Sequence, residues 1–316
     1  MDALIGYTGF VGGNLMRQHR FEGLFNSSNL ASSASQPFDT VLCAAAPGSM
    51  FEANRDPDGD LRKVEALIAA LRRIDARRFV LISSVAVLAD FTAEDEGSMG
   101  FEETLAYGAH RRLLEAAVAD MFADSLIVRL PALYGPGLKK NFLFDIANPM
   151  PAFLKADRFD ELRARLGGAL APGFSALYHW NEPLAAFSLD RAALAGSPIA
   201  DALTDAVIDT GLSALSFTHR DSHFQFYDVT DLWRDIGKAT ARGLDVLHLS
   251  PPPIAASAIY TAITGDVMPV TEARIHIEDM GTRHADLWGK SGRYMMDPDD
   301  VLAGVAAFAG RSAAPR

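Results

Sequence analysis

The stretch Ile5-Gly6-Tyr7-Thr8-Gly9-Phe10-Val11-Gly12-Gly13-Asn14-Leu15 constrains the fold more than any other part of the chain. It sets Gly6, Gly9 and Gly12 three residues apart, after the short apolar run "DALIG" and at the start of the helical pattern "GFVGGNLMRQH". One glycine of such a set makes a tight turn, one lets the backbone approach a pyrophosphate, and one lets a helix pack closely on its strand. The amides around Phe10 and Val11 then face phosphates at the positive end of the helix. A tight strand-to-helix turn without any ligand has the same spacing. A dinucleotide site at Gly6, Gly9, Phe10, Val11 and Gly12 is therefore an expectation that the remaining sequence has to support.

The first half of the chain does support it, because short apolar runs alternate with helical patterns, the signature of βαβ units. After "GLFNSSN" and "DTVLCAAA", both read as strands, "DLRKVEALIAALRRI" has helical periodicity. "RFVLISSVAVL" is then long and apolar, as a strand covered on both faces should be. A helix over "YGAHRRLLEAAVADMF" and a buried strand in "DSLIVRLPALYGPG" follow. The expected fold is α/β, a doubly wound parallel sheet with a smaller, mostly helical lobe. The nucleotide domain is assigned to 1–140 with a returning segment at about 221–250, and the lobe to 141–220 and 251–316. In that second part "FDELRARLGGALA", "EPLAAFSLDRAALAG" and "IADALTDAV" read as helices, "LDVLHLS" as a strand, and the end "RSAAPR" as frayed.

Composition narrows the function. A net charge of −11 over 316 residues argues against general binding to nucleic acid or to anionic membranes, which needs a basic footprint. The single cysteine, Cys43, excludes an internal disulfide and suits a reducing compartment. The opening segment lacks the basic start and unbroken apolar run of a secretory signal, so a cytoplasmic location is expected. "NRDPDGDLRKVE" matches part of a calcium-loop spacing, but Pro57 interrupts it and no amphipathic helix precedes it. His219 and His223 lack a third ligand nearby, and no metal site is assigned.

Taken in order, these motifs resemble those of the extended short-chain dehydrogenase/reductases, the group of NAD-dependent nucleotide-sugar epimerases, dehydratases and reductases. The resemblance rests on Gly6, Gly9 and Gly12; on Ala44-Ala45-Ala46 in "LCAAA"; on the strand end "LISSVAVL", which gives Ser84; on Tyr107 and Arg111, where the family has Tyr-x-x-x-Lys; and on Arg129 through Gly137. "FQFYDVTDLW" and "LDVLHLSPPPI" are similar to the segments by which the family re-enters its nucleotide domain. The resemblance implies NAD(P) as cofactor, with Ala44, Ala45, Ala46 and Leu133 beside it. It implies a small-molecule substrate, with Lys139, Lys140 and Asn141 near its diphosphate. Tyr107 would be the acid/base and Ser84 the orienting hydroxyl. Many relatives pair through the helix that carries the tyrosine, which makes a homodimer one expected assembly.

Four departures qualify what the resemblance implies. Arg111 replaces the lysine, Ala132 stands where many members carry a substrate-binding asparagine, and Asp60 stands near the place of a structural asparagine. Between "FNSSN" and "FDTVLCAAA" the chain is too short for the strand that relatives place there, so the adenosine pocket should be simplified. The second strand ends in Asn26 and Ser27 rather than in an acid, which tolerates a 2′-phosphate and favours NADP slightly over NAD. Arg17 or Arg20 is expected to supply charge there. At i and i+4, Tyr107 and Arg111 share a helix face. A cation about 5 Å from the phenol at an effective dielectric near 20 is worth roughly 3 kcal/mol, enough to bring a tyrosine from about 10 towards about 8. Arginine supplies that field, and its fork could reach the nicotinamide ribose, but it cannot relay a proton. His110 could relay instead. The alternative is a catalytically inactive Rossmann module that binds NAD(P) as a sensor or scaffold.

Overall fold

In the computed structural model, which describes residues 1–92 and 94–313, the apolar runs of the first half pair into one six-stranded parallel sheet. Its strands are β1 (Asp2–Ile5), β2 (Gly23–Phe25), β3 (Pro37–Cys43), β4 (Asp75–Ser84), β5 (Ser125–Leu130) and a last strand, Val246–His248, beside β5. Their order across the sheet is Val246–His248, β5, β4, β3, β1, β2. The order reverses at β1 and β3, and ligands of open α/β sheets bind at such a switch point beyond the carboxyl ends of the strands. Register places Ile5 opposite both Phe25 and Cys43, and Ser84 opposite Leu130. Gly6, Asn26, Ala44 and Ser84 therefore all leave the sheet at its carboxyl edge.

Alternation along each strand sends side chains to two cores. Leu4, Leu42, Val80 and Val128 pack with Leu15 of helix α1 (Phe10–Gln18) and Ile236 of the helix Leu232–Arg242. Ala3, Ile5, Val41, Phe79 and Leu81 pack on the opposite face with Val64, Leu114 and Val118. After the short helix α2 (Met50–Arg55), these last three come from α3 (Pro57–Leu71) and α4 (Ala106–Met121). Asp56 accepts a hydrogen bond from the Gly59 N–H at 3.0 Å and caps α3. The sheet is thus covered on both sides, which is the doubly wound α/β class expected from the sequence.

Several boundaries differ from the sequence reading for local reasons. β4 stops at Ser84, because the Ser84 Oγ accepts the Ala86 N–H at 3.2 Å and turns Val85–Val87 into a 3₁₀ helix. Pro131, which has no N–H, divides the next apolar run into β5 and a short strand, Ala132–Tyr134, paired with Phe226–Asp228. Between β2 and β3 the chain makes only the 3₁₀ helix Leu30–Ser35, so β2 lies at the sheet edge. The final helix, Pro298–Ala313, is regular beyond the point where fraying was expected, and the last three residues lie outside the described ones.

The chain divides into two compact units, of which the first comprises Met1–Leu138, His223–Ala255 and Ile277–Phe308. The returning part is thus longer than the 221–250 read from sequence. Trp288 shows why: its indole N–H donates to Asp235 at 3.0 Å. The second unit is built mainly from Lys139–Ser222 and Ala256–His276. Its core holds Phe159, Leu162, Phe174, Tyr178 and Leu203. The helix Ala156–Ala176 breaks at Gly167, whose φ is 70°. "EPLAAFSLDRAALAG" is not one helix. Ala186–Leu189 is the central strand of a three-stranded antiparallel sheet, where Phe187 stacks on Phe159 at 4.0 Å. Burial of that ring outweighs the helical propensity of the surrounding alanines and leucines. No described helix is long and apolar enough to cross a membrane.

Asp235 is fully buried and accepts from Tyr227 Oη at 2.8 Å as well as from Trp288. It ties the helix Leu232–Arg242 to the strand before it and to the returning segment. Asp235→Ala is expected to lose about 3–5 kcal/mol in urea unfolding, because it strands the buried groups that the carboxylate satisfies.

Candidate active site

The three glycines of the first turn have separable reasons to be bare. Gly6 has φ +89°, and a Cβ there would lie 2.6 Å from the Ala44 carbonyl oxygen. A Cβ on Gly12 would lie 2.2 Å from the Gly6 carbonyl oxygen, so this glycine lets α1 close on β1. Around Gly9 the nearest such atom is the Gly6 oxygen at 3.4 Å, an ordinary contact. Packing therefore requires the first and third glycines, whereas bareness at Gly9 keeps the approach to the helix end open. Gly9 is the N-cap of α1, offers no side-chain cap, and no acid lies in the first turn. The amides from Phe10 onward are left for an anion.

Neighbouring chain segments frame this helix end. Ala44 continues the β1 ladder through its N–H to the Ile5 oxygen at 2.8 Å, and Ala45 and Ala46 follow it, half-buried. Asn14 Nδ2 donates to Phe10 O at 2.9 Å and Pro136 O at 3.0 Å, holding the loop after Leu133 against α1. Its Oδ1 is buried and accepts no hydrogen bond from the described residues. Leu133 sits opposite Tyr227 in the short parallel pair.

At the end of β2, Asn26 is held in place by its own loop. Its Oδ1 accepts from the Ser28 N–H and Oγ, and its Nδ2 donates to Tyr7 Oη at 3.2 Å. Ser27 is exposed beside it. Arg17 and Arg20 line a cleft with Met16, His19, Phe21 and Leu24 at the other end of α1, about 13 Å along the helix.

Ser84 and Tyr107 are brought together by Gly108. A Cβ on this buried glycine would sit 2.2 Å from the Ala86 carbonyl oxygen, so only glycine lets α4 start directly against the turn after Ser84. The start of α4 is fixed twice more: Tyr107 N–H donates to Asn54 Oδ1 at 2.9 Å, and Glu102 accepts from the Thr104 and Leu105 amides. The half-buried Tyr107 makes no hydrogen bond through its hydroxyl to the described residues.

Arg111 is 2% exposed, and its charge is already matched. Its guanidinium donates to both oxygens of Asp60, at 3.1 and 3.3 Å, and to the Pro47 carbonyl. The guanidinium carbon lies 4.5 Å from the centre of the Tyr107 ring, over its face rather than at the phenolic oxygen. His110 Nδ1 also meets Asp60, at 2.8 Å. Burial works against the Asp60 charge, yet hydrogen bonds from Arg111 and then His110 outweigh it and hold the carboxyl below its ordinary range. Nη1 and Nη2 of the fork thus meet Asp60 and Pro47, while the buried Nε has no partner among the described residues. Arg111 and Asp60, both noted from the sequence as departures, form one buried pair, a cation matched by an anion.

A second buried cluster was not read from the sequence. Glu115, with no exposure, accepts from Arg129 at 2.9 and 2.7 Å, from Ser83 Oγ at 2.6 Å and from Arg112 at 3.1 Å. Position offered the only signal: Glu115 lies eight residues after Tyr107, on the inward stripe with Leu114 and Val118. In the second unit, Lys139 and Lys140 are exposed, and Asn141 caps the helix Phe142–Ala147 by accepting the Phe144 N–H at 3.2 Å. Asp145 of that helix was also missed; burial pushes its carboxyl up to about 7, with Arg191 opposing.

Comparisons with known proteins agree with this architecture. Residues 3–155 match the sequence model described as the NAD dependent epimerase/dehydratase family, the resemblance that the ordered motifs carried. No curated protein matches the chain. Among solved structures, dTDP-4-dehydrorhamnose reductase from Bacillus anthracis str. Ames in complex with NADP superposes with a TM-score of 0.60 at 14% identity, covering 98% of this chain and 97% of that one. UDP-N-acetylglucosamine 4-epimerase from Methanobrevibacter ruminantium M1, in complex with UDP-N-acetylmuramic acid, gives 0.60 at 11% identity over 98% and 96%. MoeE5 in complex with UDP-glucose and NAD gives 0.57 at 16% identity over 98% and 99%. At these identities the likeness is one of fold.

The Asp60–Arg111 pair makes a double substitution informative. Arg111→Met should cost about 3–5 kcal/mol in chemical unfolding, because it removes the guanidinium that matches a buried carboxylate and leaves His110 alone beside it. Arg111→Lys with Asp60→Asn should be closer to the parent in stability than Arg111→Met. The pair also sets an acid limit. A carboxyl held below its ordinary 3.8 adds stability that is complete above that value and lost as pH falls below it. Asp60→Asn should flatten the fall in unfolding free energy below about pH 4.

Proposed function

We propose that this chain is an NAD(P)-dependent epimerase, dehydratase or reductase acting on a nucleotide sugar or a related polyol or keto compound. The observation that carries the reading is Gly9, a bare residue that packing does not require, at a helix end whose amides are free. The residues present fit a dinucleotide: the turn leaves room for a pyrophosphate, Ala44–Ala46 add no bulk beside it, and Tyr7 and Asn26 border the second-strand end. The family match over residues 3–155 supports NAD(P) as the group bound. The nucleotide-sugar complexes of the superposed epimerase and of MoeE5 support the substrate class.

Bound there, NAD(P) would supply the hydride donor or acceptor. Ser84, at the carboxyl end of β4, would give a hydrogen bond to the substrate oxygen at the reacting carbon. Tyr107, with its hydroxyl making no hydrogen bond to the described residues, would take up or return the proton of that oxygen. Arg111 would hold the Tyr107 ring and fix α4 against α3 through Asp60, without carrying a proton itself. Lys139, Lys140 and Asn141 remain the candidates for the substrate diphosphate. Asn26 presents no carboxylate to repel a 2′-phosphate, which favours NADP slightly.

The commitment of Arg111 to Asp60 favours one second reading, a module that binds the cofactor without turnover. One set of measurements separates them: fluorescence titration with NADPH and NADH, followed by a turnover screen of nucleoside-diphosphate sugars. Gly9→Ala is expected to fold normally and weaken dinucleotide binding by about tenfold or more, the equivalent of about 1.4 kcal/mol. Absence of binding by either dinucleotide would sink both readings. Tyr107→Phe should keep binding and lower turnover by about 10²–10⁴-fold. Binding with no turnover in the parent would leave the sensor.

A further inference from the structure

The stretches 3–16, 23–38 and 40–51, which frame the carboxyl ends of β1, β2 and β3, hold no Asp, Glu, Lys, Arg or His. Selection between ligands at that end of the proposed dinucleotide site therefore falls to neutral hydrogen bonds. Their directions follow from a few contacts. The Ser28 N–H, which can only donate, lies 2.9 Å from Asn26 Oδ1, and Ser28 Oγ lies 2.6 Å from the same atom. This settles the Asn26 amide with its oxygen towards Ser28 and its Nδ2 towards Tyr7, 3.2 Å from the phenolic oxygen. An amide nitrogen has no lone pair to offer, so the Tyr7 oxygen accepts and its own proton is directed elsewhere. No described residue takes that proton.

Asn29 closes the rest of the turn. Its Oδ1 accepts the Asn26 N–H at 2.7 Å and its Nδ2 donates to the Leu24 oxygen at 3.0 Å. The Asn26 carbonyl takes the N–H groups of Asn29 and Leu30. A residue at the end of the second strand commonly holds a ribose hydroxyl through a side-chain acceptor. Here that acceptor is occupied inside its own loop. Tyr7, by contrast, is held in place with its donor unused. Gly6 N–H, just before it, donates to the Phe25 oxygen at 2.7 Å and ties this turn to the last residue of β2. A Cβ on Gly12 would lie 2.8 Å from the Tyr7 Cα, so α1 closes directly on it. The half-buried ring packs against the core that contains Leu4, Leu15 and Leu42.

We infer that Tyr7 is a specificity-determining residue for the adenosine end of the dinucleotide: its hydroxyl donates to an acceptor on the ribose 2′-carbon and favours a 2′-phosphate over a 2′-hydroxyl. The inference rests on the reading of the glycine turn as a dinucleotide site, and adds the group that chooses between the two cofactors. A phosphate at that carbon offers acceptors and charge to such a donor. A 2′-hydroxyl brings a proton of its own, for which the Asn26 oxygen is already taken. A hydrogen bond to a charged acceptor stabilises more than one to a neutral acceptor, and the difference corresponds to about tenfold in Kd. The framing stretches supply no cation to enlarge it.

The test is titration of the full chain with two pairs of ligands that differ only at the 2′ position. NADPH is compared with NADH by nicotinamide fluorescence, and adenosine 2′,5′-bisphosphate with adenosine 5′-monophosphate by competition against NADPH. The parent should prefer the 2′-phosphorylated member of each pair by about tenfold. Tyr7→Phe keeps the ring and its packing, and should bring both ratios close to unity through loss of affinity for NADPH and the bisphosphate. Should that variant not fold, Tyr7→Met, whose flexible side chain fills irregular space, takes its place in the same comparison. A parent without preference for the 2′-phosphate, or a preference that survives loss of the hydroxyl, overturns the inference. Gly9→Ala keeps the two ideas apart. If it weakens NADPH and NADH alike while loss of the Tyr7 hydroxyl leaves their ratio untouched, the dinucleotide site stands and the role of Tyr7 falls. If the parent binds none of the four ligands, both fall.

Discussion

Much of the first unit depends on one carboxylate with no contact to water. Glu115 is surrounded by Arg129, Arg112 and Ser83, and the cost of burying its charge is offset only while those donors stay in place. Because the donors come from β4, β5 and α4 itself, the ion pair fixes the angle and depth at which α4 lies on the sheet. Gly108 then allows the N-terminal end of the same helix to touch the turn after Ser84. A helix pinned by charge in its middle and by contact at its start has little freedom to rotate. The orientation of α4 is therefore set by the sheet as well as by the loop before it.

The Asp60–Arg111 pair shows how a change in one element is absorbed by another. A lysine exchanged for an arginine brings a larger, permanently charged and forked group into the same space. Asp60 on α3 receives that fork, and the Pro47 carbonyl takes a further donor. The result is a stronger clasp between two helices and less freedom for the cation to act on anything bound nearby. Tyr107 keeps a cation over its ring, while its hydroxyl makes no hydrogen bond to the described residues.

The sheet and its order of helices were legible in the sequence because both faces are buried, so β1, β3, β4 and β5 read as near-continuous apolar runs. The glycine turn was legible because two steric demands, at Gly6 and Gly12, fall at fixed spacing with a third bare residue, Gly9, between them. What could not be read were partnerships across long sequence distances. Glu115 and Arg129 lie in different elements, as do Asp60 and Arg111, and nothing in local pattern says which buried charge meets which. The misread helix at Ala186–Leu189 has the same origin: alanine and leucine favour a helix locally, and a stack against Phe159, distant in sequence, decides otherwise.

The shortened connection after β2 has a further outcome for the sheet as an object in solution. It leaves the three-residue β2 as one edge, and the opposite edge, Val246–His248, is also three residues long. A sheet's edge is where unpaired amides and carbonyls can recruit another chain, and the risk grows with the length of straight strand on offer. Here the long strands β3, β4 and β5 are all interior, and each edge strand is only three residues long. The short connection after β2 thus leaves little straight edge on which the sheet could add strands to itself.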